Sequence, residues 1–326
     1  MSIITFRQSK REFTEAAGSL YQREVLAYLI SLNSSFKFIR SRLLFYKKHN
    51  PKIRIRQFDS LFKFFNNIKL PNSEYESVTV LNKKLIKKDK KIYNIPFHIS
   101  EKIIANLSVK RRDYLIKKFR KQFWNNNKKI KQRKNSFNIV LHIRNKSKGD
   151  VIKGDSSLPY QLFSHDYKLP NNNPIFYKNW YLAVVNKILR ENPRFKNATV
   201  YICSTGRNSD FKDLFFELSK ICKIKKIINI DEFETFKIMI NADHLVLAQS
   251  SFSYLASLIN NKKKYIRNGF RHPLPSDIQI LNDYSFLDIS YSYYIYCKFL
   301  EGLIFFKLFL KNTDFLQIIK NRFKFF

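Results

Sequence analysis

Phe137-Asn138-Ile139-Val140-Leu141-His142-Ile143-Arg144 is the stretch on which the fold turns. It is a short apolar run with no strict alternation, as in a strand covered on both faces. Downstream, Phe176 to Arg190 has helical spacing through Trp180, Val184, Ile188 and Leu189. Thr199 to Cys203 then reads as strand and Phe211 to Ile221 as helix. Ile224 to Ile230 reads as strand, Phe233 to Ile240 as helix and His244 to Ala248 as strand. Phe252 to Leu258 reads as a further helix and Lys264 to Arg267 as a last short strand. Strands alternating with helices of this length are βαβ units. The expected fold class is therefore α/β, with a doubly wound parallel sheet best defined in the C-terminal half.

Before residue 136 the chain changes character. Ala16 to Leu32 carries helical spacing through Leu20, Val25, Leu26 and Leu29, and Phe58 to Phe65 carries another apolar stripe. The rest of this region reads as helices and basic connections. Lys83 to Lys91 and Lys117 to Lys134 are Lys-rich, the second run interleaved with Phe119, Phe123 and Trp124. Basic residues among aromatics could hold single-stranded nucleic acid by backbone attraction and stacking. A solvated helix face and a linker account for them more simply. The triplet Asn125 to Asn127 suits a loop and sets a boundary near 130–136. The expected domains are 1–135, basic and helix-rich; 136–285, the doubly wound unit; and 286–326, a basic aromatic helical segment.

Composition narrows the class further. The chain has 326 residues, a length that suits about two domains. A hydrophobic fraction of 44% with 16% aromatics excludes a disordered chain, and only 6 Gly and 9 Pro exclude collagen-like and linker classes. With 61 Lys plus Arg against 25 Asp plus Glu, the net charge of +36 would be felt by any nucleic acid, acidic membrane or acidic glycan. The joint excess of Lys, Asn, Ile, Phe and Tyr is also what an AT-rich genome would encode, whatever the function. Cys203, Cys222 and Cys297 have no paired metal spacing, which argues against disulfide and zinc scaffolds, and Cys203 reads as a small core residue. No secretory signal and no run of 18 apolar residues is visible. A cytoplasmic location, peripheral at the inner face of a membrane, is the expectation.

In a doubly wound sheet, ligands bind beyond the carboxyl ends of the strands, at the crevice where strand order reverses. The first strand is followed by His142-Ile143-Arg144 and then Asn145 to Asp150, the second by Ser204-Thr205-Gly206-Arg207. The fourth is followed by Gln249-Ser250-Ser251-Phe252-Ser253, leading straight into a helix. Arg144 offers a rigid fork suited to a diphosphate. Ser250, Ser251 and Ser253 open a helix whose free N–H groups and dipole favour an anion, and N-capping alone explains one serine, not three. His142 and Arg144 share one strand face, since side chains alternate along a strand. No Walker-type glycine loop, nucleophile elbow, zinc-protease motif or carboxylate cluster for a metal is present.

These residues resemble a known family. Leu141-His-Ile-Arg-Asn-Lys-Ser-Lys-Gly-Asp150 is similar to the His-x-Arg-Arg-Gly-Asp motif of GDP-fucose-dependent fucosyltransferases, with Asn145 in place of the second Arg. Ala242 to Tyr254 resembles the family's Asn-Ser-Ser-Phe-Ser-Trp-Trp-Gly region, and Lys264 to Pro273 the strand and Pro-containing loop that follow it. Ala17-Gly-Ser-Leu-Tyr-Gln22 is similar to the family's Gly-x-Gly-x-Gln start. The resemblance implies a GT-B architecture, two Rossmann-like domains facing a cleft, and inverting transfer without a metal or other cofactor. It implies that Arg144 binds the β-phosphate and stabilises the leaving nucleotide. His142, Ser204, Thr205, Ser250, Ser251 and Ser253 would lie along the nucleotide sugar, and Gly18 and Gln22 would border the cleft from the N-terminal side. Asp150 and Asp155 are the nearest carboxylates for a base and His272 is a further candidate, with activation of the acceptor without a base as the alternative.

Leu287 to Phe326 alternates aromatics with Lys, and Tyr293 to Leu310 could form an amphipathic helix with Phe299, Leu303, Phe306 and Leu310 on one side. It reads as packing across the domains or as contact with an anionic membrane. The first functional reading is a glycosyltransferase taking a nucleotide sugar, GDP-fucose foremost, to a surface polysaccharide or lipid-linked glycan. The alternatives are a nucleic-acid-binding protein using 83–134 and a degenerate glycan-binding member of the family.

Overall fold

Two parallel sheets organise the chain, which is mixed α/β as expected. The computed structural model describes residues 3–6, 17–34, 36–40, 52–65, 76–77, 92–130, 137–144, 175–193, 198–248, 250–267, 270 and 272–281. The N-terminal part runs β1 (Ile3–Thr5), α1 (Ala17–Leu32), β2 (Lys37–Phe38), α2 (Lys52–Leu61), β3 (Glu76–Ser77), β4 (Ile92–Asn94), α3 (Phe97–Asn106) and α4 (Val109–Asn126). The C-terminal part runs β5 (Asn138–Ile143), α5 (Ile175–Glu191), β6 (Thr199–Ser204), α6 (Lys212–Ser219), β7 (Lys223–Ile228) and α7 (Glu232–Ile240). It continues with β8 (His244–Val246), α8 (Ser251–Ile259), β9 (Lys263–Arg267) and β10 (Ile278–Leu281).

The C-terminal sheet has the order β10-β9-β8-β5-β6-β7, parallel throughout. The chain enters at the centre on β5, winds outward to β7, and returns to β8 on the other side of β5. Strand order therefore reverses between β5 and β8, the doubly wound arrangement. Alternation along β5 sorts its side chains between two layers. Ile139, Leu141 and Ile143 pack with Trp180 and Val184 of α5 and Leu214 of α6. Val140 packs on the opposite side with Phe236 of α7 and Tyr254 of α8. Both faces are buried, which is why β5 reads as a continuous apolar run. Cys203 is fully buried and its thiol is pushed up to about 12 by desolvation, so it is an inert core residue as its sequence setting suggested.

Three expectations need correction. The region before 136, read from its residues as mainly helices and basic connections, also holds a four-stranded parallel sheet, order β2-β1-β4-β3, as the two Rossmann-like domains implied by the resemblance require. Its strands are two or three residues long, too short to show a period. Lys264 to Arg267 is not the last strand, because β10 adds a partner along β9 without an intervening helix. The asparagine triplet does not start a loop. Helix α4 runs through Asn126, and Asn127 ends it while its Nδ2 donates to the Leu61 and Phe123 carbonyls at 2.8 and 2.9 Å. Lys83 to Lys91 and the whole 286–326 segment lie outside the described residues.

The abundant phenylalanine is spent joining the two sheet units. Phe58 of α2 lies 5.3 Å from Phe236 of α7 and 6.5 Å from Phe252 of α8, ring centre to ring centre. Tyr21 of α1 stacks on Phe58 and Phe62 at 5.5 and 5.1 Å. Phe119 and Phe123, interleaved with the lysines of α4, are fully buried in this core. They are unavailable for stacking on bases, and the lysines between them form the solvated face. No described helix is long and apolar enough to cross a membrane.

Candidate functional site

The reversal point is flanked by the end of β5 on one side and the start of α8 on the other. His142 shares the Val140 face of β5 and so turns toward α8, where its Nδ1 meets Ser253 Oγ. Its ring lies 5.7 Å from that of Phe252, and its carbonyl accepts the Tyr181 hydroxyl at 3.0 Å. Burial, and then the Arg144 guanidinium, push the imidazole down to about 3. His142 is therefore neutral at any physiological pH, and the fixed positive charge at this strand end belongs to half-exposed Arg144.

The three serines of α8 divide their work. Ser250 is the N-cap, and its Oγ accepts from Phe252 N at 3.2 Å. Ser253 is fully buried against His142. Ser251, half-exposed, has its Oγ 3.5 Å from His272 Nε2. The far end of the helix is tied down by donors. Arg120 gives Nε and Nη2 to the Leu258 and Ser257 carbonyls at 2.9 Å each, and Trp124 Nε1 donates to Ile259 at 3.1 Å. Lys264 Nζ donates to the Asn260 carbonyl at 2.9 Å. Cations thus complement the negative end of the helix dipole, while no acidic residue occupies the first turn. The positive end is left for an anion in the crevice.

Ser204 and Thr205 end β6 beside it. Ser204 Oγ donates to the Ile143 carbonyl at 2.6 Å, bracing β6 against β5, and Thr205 is exposed. The turn that follows is held by Asn229, whose side chain bonds the Gly206 N–H at 2.9 Å and carbonyl at 2.7 Å. Gly206 has φ 124°, a conformation closed to most side chains. Asp150 and Asp155 lie outside the described residues.

The N-terminal unit meets this site through α1. A Cβ added at Gly18 would stand 2.8 Å from Phe252 Cδ2 and 3.0 Å from its Cα, so only glycine lets α1 approach the start of α8 this closely. Gly18 to Gln22 lie within the first turns of α1. One turn on, fully buried Gln22 has its Nε2 3.2 Å from His272 Nδ1 and 3.5 Å from Glu101 Oε1. The same His272 nitrogen forms a salt bridge with Glu101 of α3. Tyr254 stacks on the imidazole at 4.7 Å and donates its hydroxyl to the Pro273 carbonyl at 2.6 Å.

The structure thus brings His142, Arg144, Ser250, Ser251, Ser253, Gly18 and Gln22 around one junction. Glu101 and Tyr181 join them without any sequence signal, each being one polar residue in an ordinary helix. Among the described residues, no three His, Cys, Asp or Glu side chains converge so as to hold a metal ion.

No protein-family model matches the chain, and none of the curated proteins is similar to it. Among solved structures, POFUT1 in complex with GDP is 10% identical with a TM-score of 0.39, over 81% of this chain and 98% of that one. A second POFUT1–GDP structure is 13% identical with a TM-score of 0.40, over 80% and 95%. The E. coli heptosyltransferase WaaC with ADP is 8% identical with a TM-score of 0.41, over 93% and 99%.

Proposed function

We propose that the chain is a glycosyltransferase that binds a nucleotide sugar by its diphosphate at the reversal point between β5 and β8. The observation that carries this reading is the meeting of two anion-binding devices there. Half-exposed Arg144, just past β5, acts on the His142 imidazole, which in turn meets Ser253 of α8, and the first turn of α8 holds no acidic residue. The resemblance of 141–150 and 242–254 to GDP-fucose-dependent fucosyltransferases supports the same reading and favours GDP-fucose as donor. In this scheme Arg144 balances the charge that builds on the departing diphosphate, a role otherwise filled by a metal. The sugar passes with inversion to a hydroxyl of a surface or lipid-linked glycan, presented from the α1 side of the junction.

The test is transfer or hydrolysis of a nucleotide sugar by the purified chain in the presence of a chelator. Arg144→Ala is expected to lower kcat by about 10²–10³ while the thermal midpoint stays unchanged. Full activity in that variant would remove Arg144 from the mechanism.

A further inference from the structure

We propose that Ser251, His272 and Glu101 form a proton relay that acts as the general base of the transfer, an inference that rests on the glycosyltransferase reading above. The three residues come from α8, the loop after β9, and α3, so the relay exists only where the two sheet units meet. Glu101 Oε1 is salt-bridged to His272 Nδ1 and also lies 3.5 Å from Gln22 Nε2, so the ring proton sits on Nδ1 facing the carboxylate, and Gln22 donates to Glu101 and not to the ring. The lone pair of Nε2 is then directed at Ser251 Oγ, 3.5 Å away. His272 is 3% exposed and Ser251 is half-exposed, so the serine hydroxyl is the end of the relay that a substrate can meet. Tyr254 stacks on one face of the imidazole and Phe270 packs edge-on at 5.0 Å, fixing its orientation. Gln22 Oε1, fully buried in the same cluster, is an acceptor without a donor.

The step balances as follows. The acceptor hydroxyl gives its proton to Ser251 Oγ as the serine proton moves to His272 Nε2. The acceptor oxygen forms its bond to the anomeric carbon while the bond from that carbon to the diphosphate oxygen breaks, and the electron pair leaves with the nucleotide. The Glu101 carboxylate stabilises the imidazolium until the proton is lost to water. Ser251 touches substrate, His272 takes the proton, and Glu101 is a positioning residue. Among the described residues, the ionisable groups facing the ring are Glu101 from α3 and Tyr254 from α8. Arg112 of α4 acts on the Tyr254 hydroxyl from behind.

Ser251→Ala, His272→Gln and Glu101→Gln test this in the full chain, with GDP-fucose, UDP-glucose and ADP-glucose as donors and nucleotide release as the readout over pH. Ser251→Ala and His272→Gln are expected to lower kcat by about 10²–10⁴ with the donor KM little changed. Glu101→Gln removes the charge that favours imidazolium, so the acid limb of kcat moves to lower pH by about 1 unit or more. Because buried His272 is the position most prone to misfold on substitution, Ser251→Ala and Glu101→Gln decide the matter. Wild-type kcat and an unmoved pH limb in those two would overturn the relay and leave the glycosyltransferase reading standing. A wild-type chain inactive on every donor would overturn both.

Discussion

His142 and Arg144 stand two residues apart on one strand face, yet only Arg144 carries a charge. Desolvation and the neighbouring guanidinium keep His142 neutral, so its hydrogen bond with Ser253 is made by an uncharged ring. The unfolded chain binds a proton at this histidine near pH 6.5, whereas the folded one does so only near 3. Stability from this site is complete above the unfolded value and is lost as pH falls through that window. The thermal midpoint of the wild type should therefore drop between pH 7 and 5 by more than that of His142→Asn. Parallel curves would show that the site does not titrate this way. Gly18 is a second single-residue constraint. Because the Phe252 Cα stands in the way of a Cβ, Gly18→Ala should destabilise by about 1–3 kcal/mol in denaturant melts. Neither effect was legible in the sequence, since the burial of His142 against Ser253 and the approach of Phe252 to Gly18 each join residues more than a hundred positions apart.

Legibility rises with element length. Strands β5, β6 and β7, of six residues each, and helices α5, α7 and α8 stand within two residues of their sequence positions. Each is long enough to show as an apolar run or a helical period and is bounded by polar turns. The two-residue strands β2 and β3 carry no pattern, and their pairing is decided by tertiary packing alone. Helix α8 was legible as a helix with a serine-rich start, but its C-terminal anchoring was not. Arg120, Trp124 and Lys264 reach it from α4 and β9, and Asp277 holds both cations, at 2.5 Å to Arg120 and 2.8 Å to Lys264. Removing the N-cap by Ser250→Ala should cost about 1 kcal/mol by the same melts and weaken anion binding at the helix start. An unchanged midpoint would mean that the C-terminal anchors alone hold the helix.

At the scale of the molecule, one aromatic core couples the sheet units, and a buried ionic cluster fixes the N-terminal one. Arg40 Nε lies 2.9 Å from one oxygen of fully buried Glu24, and its Nη2 lies 2.6 Å from Asp59, which also accepts the Tyr21 hydroxyl at 2.6 Å. Arg40→Ala leaves Glu24 buried and unpaired, and should cost about 3–5 kcal/mol. A double variant that also replaces Glu24 by Leu should recover much of that loss. The net charge of +36, which sequence reading could not assign to a partner, acts on the whole chain as self-repulsion. Raising salt from about 20 to about 150 mM should therefore raise the thermal midpoint, through screening alone.

The central claim is that a nucleoside diphosphate binds between the end of β5 and the start of α8, and thermal shift tests it most directly. Wild type and Arg144→Ala are melted with GDP, UDP, ADP and CDP. One nucleotide, GDP by expectation, should raise the wild-type midpoint by about 5 °C at a hundredfold excess over its Kd, and the variant should show little or no shift. No response to any of the four, or an equal shift in Arg144→Ala, would contradict the account.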